Sequence, residues 1–329
     1  MKNLKNILLW TLGIIIIVVA GAMAYLKFAL PNVGDAPEIK VEMTPERIAR
    51  GGYLALHVAV CIDCHSQRDW SRFSGPPKEG TYGMGGDVFD QKFGFPGAYY
   101  AKNITPAGIS HYNDGELFRV ITTGVDKNGK ALFPIMPFHY YGQMDEEDIK
   151  SIIAYIRTLK PIENTVPESS SDFPMNFIIN TLPHKAQFTK LPPKTDVVSY
   201  GKYLATAASC IDCHTQFEKG ALVEGTEFGG GRQFPFPDGS VVTSSNISPD
   251  VETGIGGWSE AVFVNMFRAR VDSAAMNAIV NPGDFNSIMP WSMYGNMTEE
   301  DLKAIFAYLK TVKPINNSVV KFVPAKAMN

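Results

Sequence analysis

The chain contains one unit twice, and both copies are built around Cys-x-x-Cys-His. Gly51 to His65, GGYLALHVAVCIDCH, aligns with Gly201 to His214, GKYLATAASCIDCH, allowing one gap. Asn103 to Pro106, NITP, returns as Asn246 to Pro249, NISP. Ile135 to Ile162 then matches Ile288 to Ile315 at a constant offset of 153 residues. A unit of about 120 residues can bury a core of its own. The sequence therefore predicts two tandem domains, 42–162 and 198–316, joined by a connector over 163–197 and followed by a tail over 317–329. The connector carries Pro167, Pro174, Pro183, Pro192 and Pro193, which predicts irregular structure. Its apolar patch of Phe173, Phe177, Ile178 and Ile179 is expected to dock on a domain surface.

Each copy is expected to open and close with a helix. Thr44 followed by Pro45 has the pattern of an N-cap with proline at the first helical position. Asp145 and Thr298 are candidate caps of the closing helices. Ile149, Ile152, Ile153 and Ile156, and likewise Leu302, Ile305, Phe306 and Leu309, follow the helical period of about 3.6 with one buried stripe. Pro161 and Pro314 should stop both helices. Gly51 and Gly201 should let the terminal helices approach closely where they cross, with Tyr155 and Tyr308 packed at the crossing. The loops between are rich in Gly, Pro and aromatic residues and contain few period-two runs, so the predicted fold class is all-α.

Ahead of the first copy, Ile7 to Leu26 is a run of 20 residues without a charge. At ~1.5 Å per residue it matches the ~30 Å hydrocarbon layer of a bilayer. Residues 1–30 are accordingly expected to form a single-pass anchor. Ala22-Met23-Ala24 offers a signal-peptide cleavage site, but the apolar run exceeds the usual ~7 to 15 residues of such peptides. Lys2 and Lys5 before the run should stay in the cytoplasm and send the remainder of the chain across. The formal net charge of -3 divides into a cationic end holding Lys2, Lys5 and Lys27 and a body with 27 basic and 33 acidic residues. With a pI of about 6.1 and no basic run, nucleic acid is excluded as the main partner. Four cysteines are too few for a disulfide scaffold.

Those cysteines carry the chemistry. Cys61-Ile-Asp-Cys64-His65 and Cys210-Ile-Asp-Cys213-His214 fit the attachment signature of c-type haem. Thiols at i and i+3 of a helical turn face one way and can add to two porphyrin vinyl groups, while the adjacent histidine ligates the iron. A Cys₄ zinc ribbon would bring the two pairs within ~15 to 20 residues of each other, and here nearly 150 separate them. A thioredoxin-like redox pair would need an alternating strand and helix pattern, which is missing. The expected cofactors are two covalently bound haem c groups, attached through Cys61 and Cys64 and through Cys210 and Cys213, with His65 and His214 as metal ligands.

For the opposite axial position two methionine pairs obey the 153-residue offset. Met144 and Met297 directly precede the helix caps, where a hydrophobic staple accounts for them. Met136 and Met289 each precede a proline in an apolar aromatic loop, IMPF and IMPW, and are the expected axial ligands. His57, His111, His139 and His184 are read as structural or surface histidines. Asn103 and Asn246 suit either a contact to a haem propionate or methionine loop, or an Asn turn. Arg68, Arg72 and Arg232 are expected to be solvated surface arginines, with propionate pairing as the alternative.

Two CxxCH units, each followed by NITP or NISP, then by Met-Pro and a terminal AYI or AYL helix, resemble the dihaem and multihaem cytochrome c subunits of membrane-bound alcohol and gluconate dehydrogenases. Thr253 to Trp258, TGIGGW, and the connector segment FPMNF, Phe173 to Phe177, are similar to that family; the first copy departs from it at Gly108 to Tyr112. The resemblance implies a location on the bacterial cytoplasmic membrane with the domains in the periplasm. It implies an exported dehydrogenase as electron donor and quinone, a cytochrome c or a terminal oxidase as acceptor. The alternatives are a dihaem enzyme of peroxidase or thiosulfate dehydrogenase type with one haem lacking methionine, and a structural subunit of a respiratory complex.

Overall fold

Two helix pairs, one per copy, frame the fold. In the computed structural model, which describes residues 2–281 and 283–325, the opening helices are Pro45–Tyr53 and Val197–Ala207. The closing helices are Glu146–Ile156 and Glu299–Leu309. The Thr44 hydroxyl accepts the Arg47 amide, and the side chains of Asp145 and Thr298 accept those of Glu147 and Asp301, so all three expected caps form. Both predicted apolar stripes are buried. The closing helices end at Ile156 and Leu309, a full turn before Pro161 and Pro314, so the prolines lie beyond the boundary.

The two backbones of each pair touch. A Cβ on Gly51 would sit 1.8 Å from the Ser151 carbonyl oxygen, and one on Gly201 would sit 1.8 Å from that of Ala304. Only glycine permits this approach. The one-residue gap between the copies also has a structural counterpart. In the first copy Leu54–Val58 is π-helical, with the Ala59 amide bonded to the Leu54 carbonyl at 2.7 Å, whereas the second copy stays α-helical to Ala207. The extra residue is absorbed as a wider turn.

The all-α expectation is not confirmed. Short strands lie among the helices: Val88–Phe89, Gly97–Tyr100 and Ser170–Ser171 form one antiparallel sheet, Phe217–Glu218 and Ala221–Leu222 a hairpin, and Gln233–Pro235, Val241–Thr243 and Phe322–Val323 a third sheet. They are two to four residues long, too short to show periodicity, and they arise because the Gly- and Pro-rich loops fold back and satisfy one another's amides. The connector joins the first sheet through Ser170–Ser171, and the tail joins the last through Phe322–Val323; residues 326–329 of that tail lie outside the described residues. The connector's apolar patch is not buried as expected: Phe173 is 81% and Ile178 40% exposed. It lies against the end of the N-terminal helix, where Asn180 Nδ2 donates to the Leu26 carbonyl at 3.0 Å.

That helix, Lys2–Phe28, includes a span from Asn3 to Phe28 that is long and apolar enough to cross a membrane; its most apolar stretch has a mean hydropathy of 2.6 and is wholly unburied. Membrane anchors and signal sequences share these properties.

The halves are joined by a reciprocal exchange of equivalent residues. Tyr53 donates its phenol to Asp301 Oδ2 at 2.5 Å and accepts the Thr298 amide at 3.0 Å. Its repeat partner Tyr203 donates to Asp148 Oδ2 at 2.6 Å and accepts the Asp145 amide at 3.1 Å. Each tyrosine thus reaches across to the first turn of the other half's closing helix. Within each half the same aspartates are held by Arg50, through bonds of 2.8 and 2.7 Å, and by Tyr200 at 3.0 Å. Tyr203→Phe leaves the Asp145 amide without its acceptor and should lower stability by ~1 to 3 kcal/mol, read as a shifted midpoint in denaturant unfolding of the full chain. An unchanged midpoint would show that this exchange contributes nothing to holding the halves together.

Candidate haem-binding sites

Both opening helices are broken by a left-handed residue, Val60 at φ 46° and Ser209 at φ 55°, which turns the chain into the single helical turns Cys61–Cys64 and Cys210–Cys213. The amides of His65 and His214 close these turns on the carbonyls of Cys61 and Cys210 at 3.0 Å. Thiols and imidazole therefore leave one turn together, as the spacing predicts. All four cysteines are free thiols. Burial pushes each of them up to about 12, so they stay protonated, unlike the activated thiol of a redox pair.

The histidines are oriented by their rear nitrogens. His65 Nδ1 lies 2.6 Å from the Lys102 carbonyl oxygen, and His214 Nδ1 lies 2.8 Å from that of Ser245. A carbonyl only accepts, so Nδ1 carries the proton and Nε2 presents its lone pair. Burial lowers the pKa of both rings, which the two carbonyls partly oppose, and favours the neutral imidazole a metal ligand must be. The accepting residues directly precede the NITP and NISP motifs, and this gives those motifs a purpose. Asn103 accepts the Thr105 amide at 2.9 Å and donates to the Ile162 carbonyl at 2.8 Å; Asn246 accepts the Ser248 amide at 2.9 Å and donates to the Ile315 carbonyl at 2.7 Å. Of the two readings of these asparagines, the structure contains the Asn turn, pinned to the chain beyond the closing helix.

Met136 and Met289 sit in matching tight turns. The Phe138 and Trp291 amides bond to the Met136 and Met289 carbonyls at 2.7 Å, around Pro137 at φ -79°, ψ 55° and Pro290 at φ -76°, ψ 66°. These are inverse γ-turns, preset by the proline ring. Met136, Met289, Cys61 and Cys210 all pack against the buried core. Each methionine loop is tied to its own cysteine run by a tyrosine that sequence reading passed over: Tyr141 donates to the Ala59 carbonyl at 2.7 Å and Tyr294 to that of Ala208 at 2.8 Å. Their identity at the 153-residue offset was the available signal. Met144 and Met297 are fully buried core residues, in keeping with a staple.

Arg68 is a correction. It is buried, not solvated, and pairs at 3.3 Å with Asp63 inside the first cysteine motif; Arg232 is part-buried and pairs at 3.0 Å with the equivalent Asp212. Removing two such charges from water requires that they meet. Arg72 is the more exposed, pairing with Asp69 at 3.3 Å. Among the other histidines, His111 and His184 are exposed, His139 lies tilted against the Tyr140 ring, and His57 faces the Met293 carbonyl. Among the described residues no group of three or more His, Cys, Asp or Glu could hold a bare metal ion, so the donor arrangement does not suit a Cys₄ zinc site. Two thiols, one free imidazole nitrogen and a thioether loop in each half do suit haem c.

Comparison with known proteins gives the same direction. The cytochrome c subunit of alcohol dehydrogenase (quinone) from Gluconacetobacter polyoxogenes is 25% identical over 285 residues, 82% of this chain and 56% of the relative. The gluconate 2-dehydrogenase cytochrome c subunit of Pantoea cypripedii is 26% identical over 317 residues, 91% of this chain and 64% of the relative. The chain resembles cytochrome c subunits of dehydrogenases. It spans little more than half the length of the first of these relatives. A dihaem c-type cytochrome of Cereibacter sphaeroides is similar almost end to end, 25% identical over 93% of this chain and 98% of its own length. No protein-family model matches the chain.

Proposed function

We propose that the chain is a dihaem c-type cytochrome that relays electrons from an exported dehydrogenase to the respiratory chain. Its domains are residues 42–162 and 198–316, and residues 1–30 anchor it to the bacterial cytoplasmic membrane with both domains in the periplasm. Cys61 and Cys64 would hold one haem and Cys210 and Cys213 the other, with His65 and Met136, and His214 and Met289, as the residues that would bind the two irons. The observation that carries this reading is the imidazole whose Nδ1 is committed to a backbone carbonyl beside two thiols of the same turn, present in both copies. Haem bound in this way supplies a one-electron Fe(III)/Fe(II) couple, raised in potential by a thioether ligand. The chain's own residues do the rest: the carbonyls of Lys102 and Ser245 orient the imidazoles, the Met-Pro turns present the thioethers, and the core packs against Met136 and Met289. The dehydrogenase donor follows from the names of the relatives, and quinone, a cytochrome c or a terminal oxidase is the acceptor class.

An enzyme reading would need one site without methionine, and both copies carry the same Met-Pro turn. The test is optical. Full-length ferric protein should show the far-red sulfur-to-iron charge-transfer band, and Met136→Ala and Met289→Ala should each remove about half of it. A band that survives both substitutions would reject methionine ligation.

A further inference from the structure

The Met-Pro turn of the second half is held by the first half as well as by its own. Ser74, which follows the first cysteine motif, crosses the interface: its hydroxyl donates to the Met289 carbonyl and accepts the Trp291 amide at 3.2 Å. These are the two ends of the inverse γ-turn that presents Met289. The Ser74 amide donates to Asn286 Oδ1 at 2.8 Å. On either side of these bonds the Phe73 amide meets the Ala278 carbonyl at 3.1 Å and the Val280 amide meets the Ser71 carbonyl at 2.9 Å. Met136 has no such partner among the described residues; its carbonyl accepts the Phe138 amide of its own turn.

Ser74 is 1% exposed and sits at φ 66°, a left-handed conformation that disfavours any residue with a Cβ. Arg68 maintains it there, donating from Nε to the Gly75 carbonyl at 2.9 Å and from Nη2 to the Ser74 carbonyl at 2.8 Å. The remaining arm of the guanidinium pairs with Asp63, between Cys61 and Cys64. A continuous polar chain therefore runs from the first cysteine turn, through Asp63, Arg68 and the strained Ser74, to the peptide of Met289.

We propose that Ser74 is a positioning residue for Met289, so that the second site is complete only when the first half is docked against it. This inference rests on the reading of Met289 as an iron ligand. Its readout is displacement of the thioether by added imidazole in the full-length ferric holoprotein, followed through loss of the far-red band, with the two kinetic phases assigned by Met136→Ala and Met289→Ala. Ser74→Gly keeps the left-handed backbone and deletes the hydroxyl. It should retain both haems and accelerate the Met289 phase about tenfold, leaving the Met136 phase unchanged. Ser74→Ala should accelerate the same phase. If Met289→Ala leaves the band intact, the ligand assignment itself fails. If Met289→Ala removes its share while Ser74→Gly leaves the Met289 phase within about twofold of the parent, or speeds both phases equally, the positioning role is overturned and the ligand assignment stands.

Discussion

Replacing Cys210 and Cys213 together by alanine should leave a protein with one covalently attached haem per chain in place of two. The halved pyridine haemochrome absorbance per polypeptide measures it, and Cys61→Ala with Cys64→Ala should give the same stoichiometry from the other side. The expectation follows from the separateness of the two attachment turns, whatever holds the Met289 loop: each turn closes on its own backbone, and each imidazole takes its orientation from a carbonyl of its own half, Lys102 or Ser245. No thiol is shared, and the four lie part-buried on two separate turns. Two haems retained in either double variant would refute the attachment sites. Loss of both would show that attachment at one turn depends on the other.

The second large effect concerns stability. Gly51→Ala and Gly201→Ala should each cost about 3 kcal/mol, because the new methyl meets a backbone carbonyl rather than a movable side chain. The helix propensity of alanine, worth about 1 kcal/mol over glycine, offsets only part of this. Gly52→Ala provides the comparison. There the nearest atoms belong to the Tyr155 ring at 3.1 Å, and the second copy already carries Lys202 at the matching position, so its loss should stay below ~1 kcal/mol. Urea unfolding of the three variants separates the cases, and equal midpoints for Gly51→Ala and Gly52→Ala would show that the helix pair separates without cost.

Much of the site was legible because its chemistry is local. Cysteines one turn apart and the adjacent histidine are set by the geometry of a single helical turn, and the proline after Met136 or Met289 presets the turn that presents the thioether. The caps at Thr44, Asp145 and Thr298 depend on residues two to three positions away, and Gly51 and Gly201 were conspicuous in both copies. The strands were not legible. Each is too short for a period, and some pair with a distant segment, as when the connector's Ser170 pairs with Ala98. The burial of Arg68 is not legible either, because its partner, Asp63, is identifiable only once the intervening chain has folded back.

The sequence by itself determined the duplication, the two CxxCH turns with their candidate methionines, the terminal helices and the apolar leading segment, all of them patterns contained within one turn or one helix face. The tertiary structure alone decided how the copies meet. Tyr53 with Asp301, Tyr203 with Asp148 and Ser74 with Met289 join residues more than fifty positions apart, and hydrogen bonds of that kind leave no periodic trace in the chain because they depend on where two independently folded surfaces come to rest.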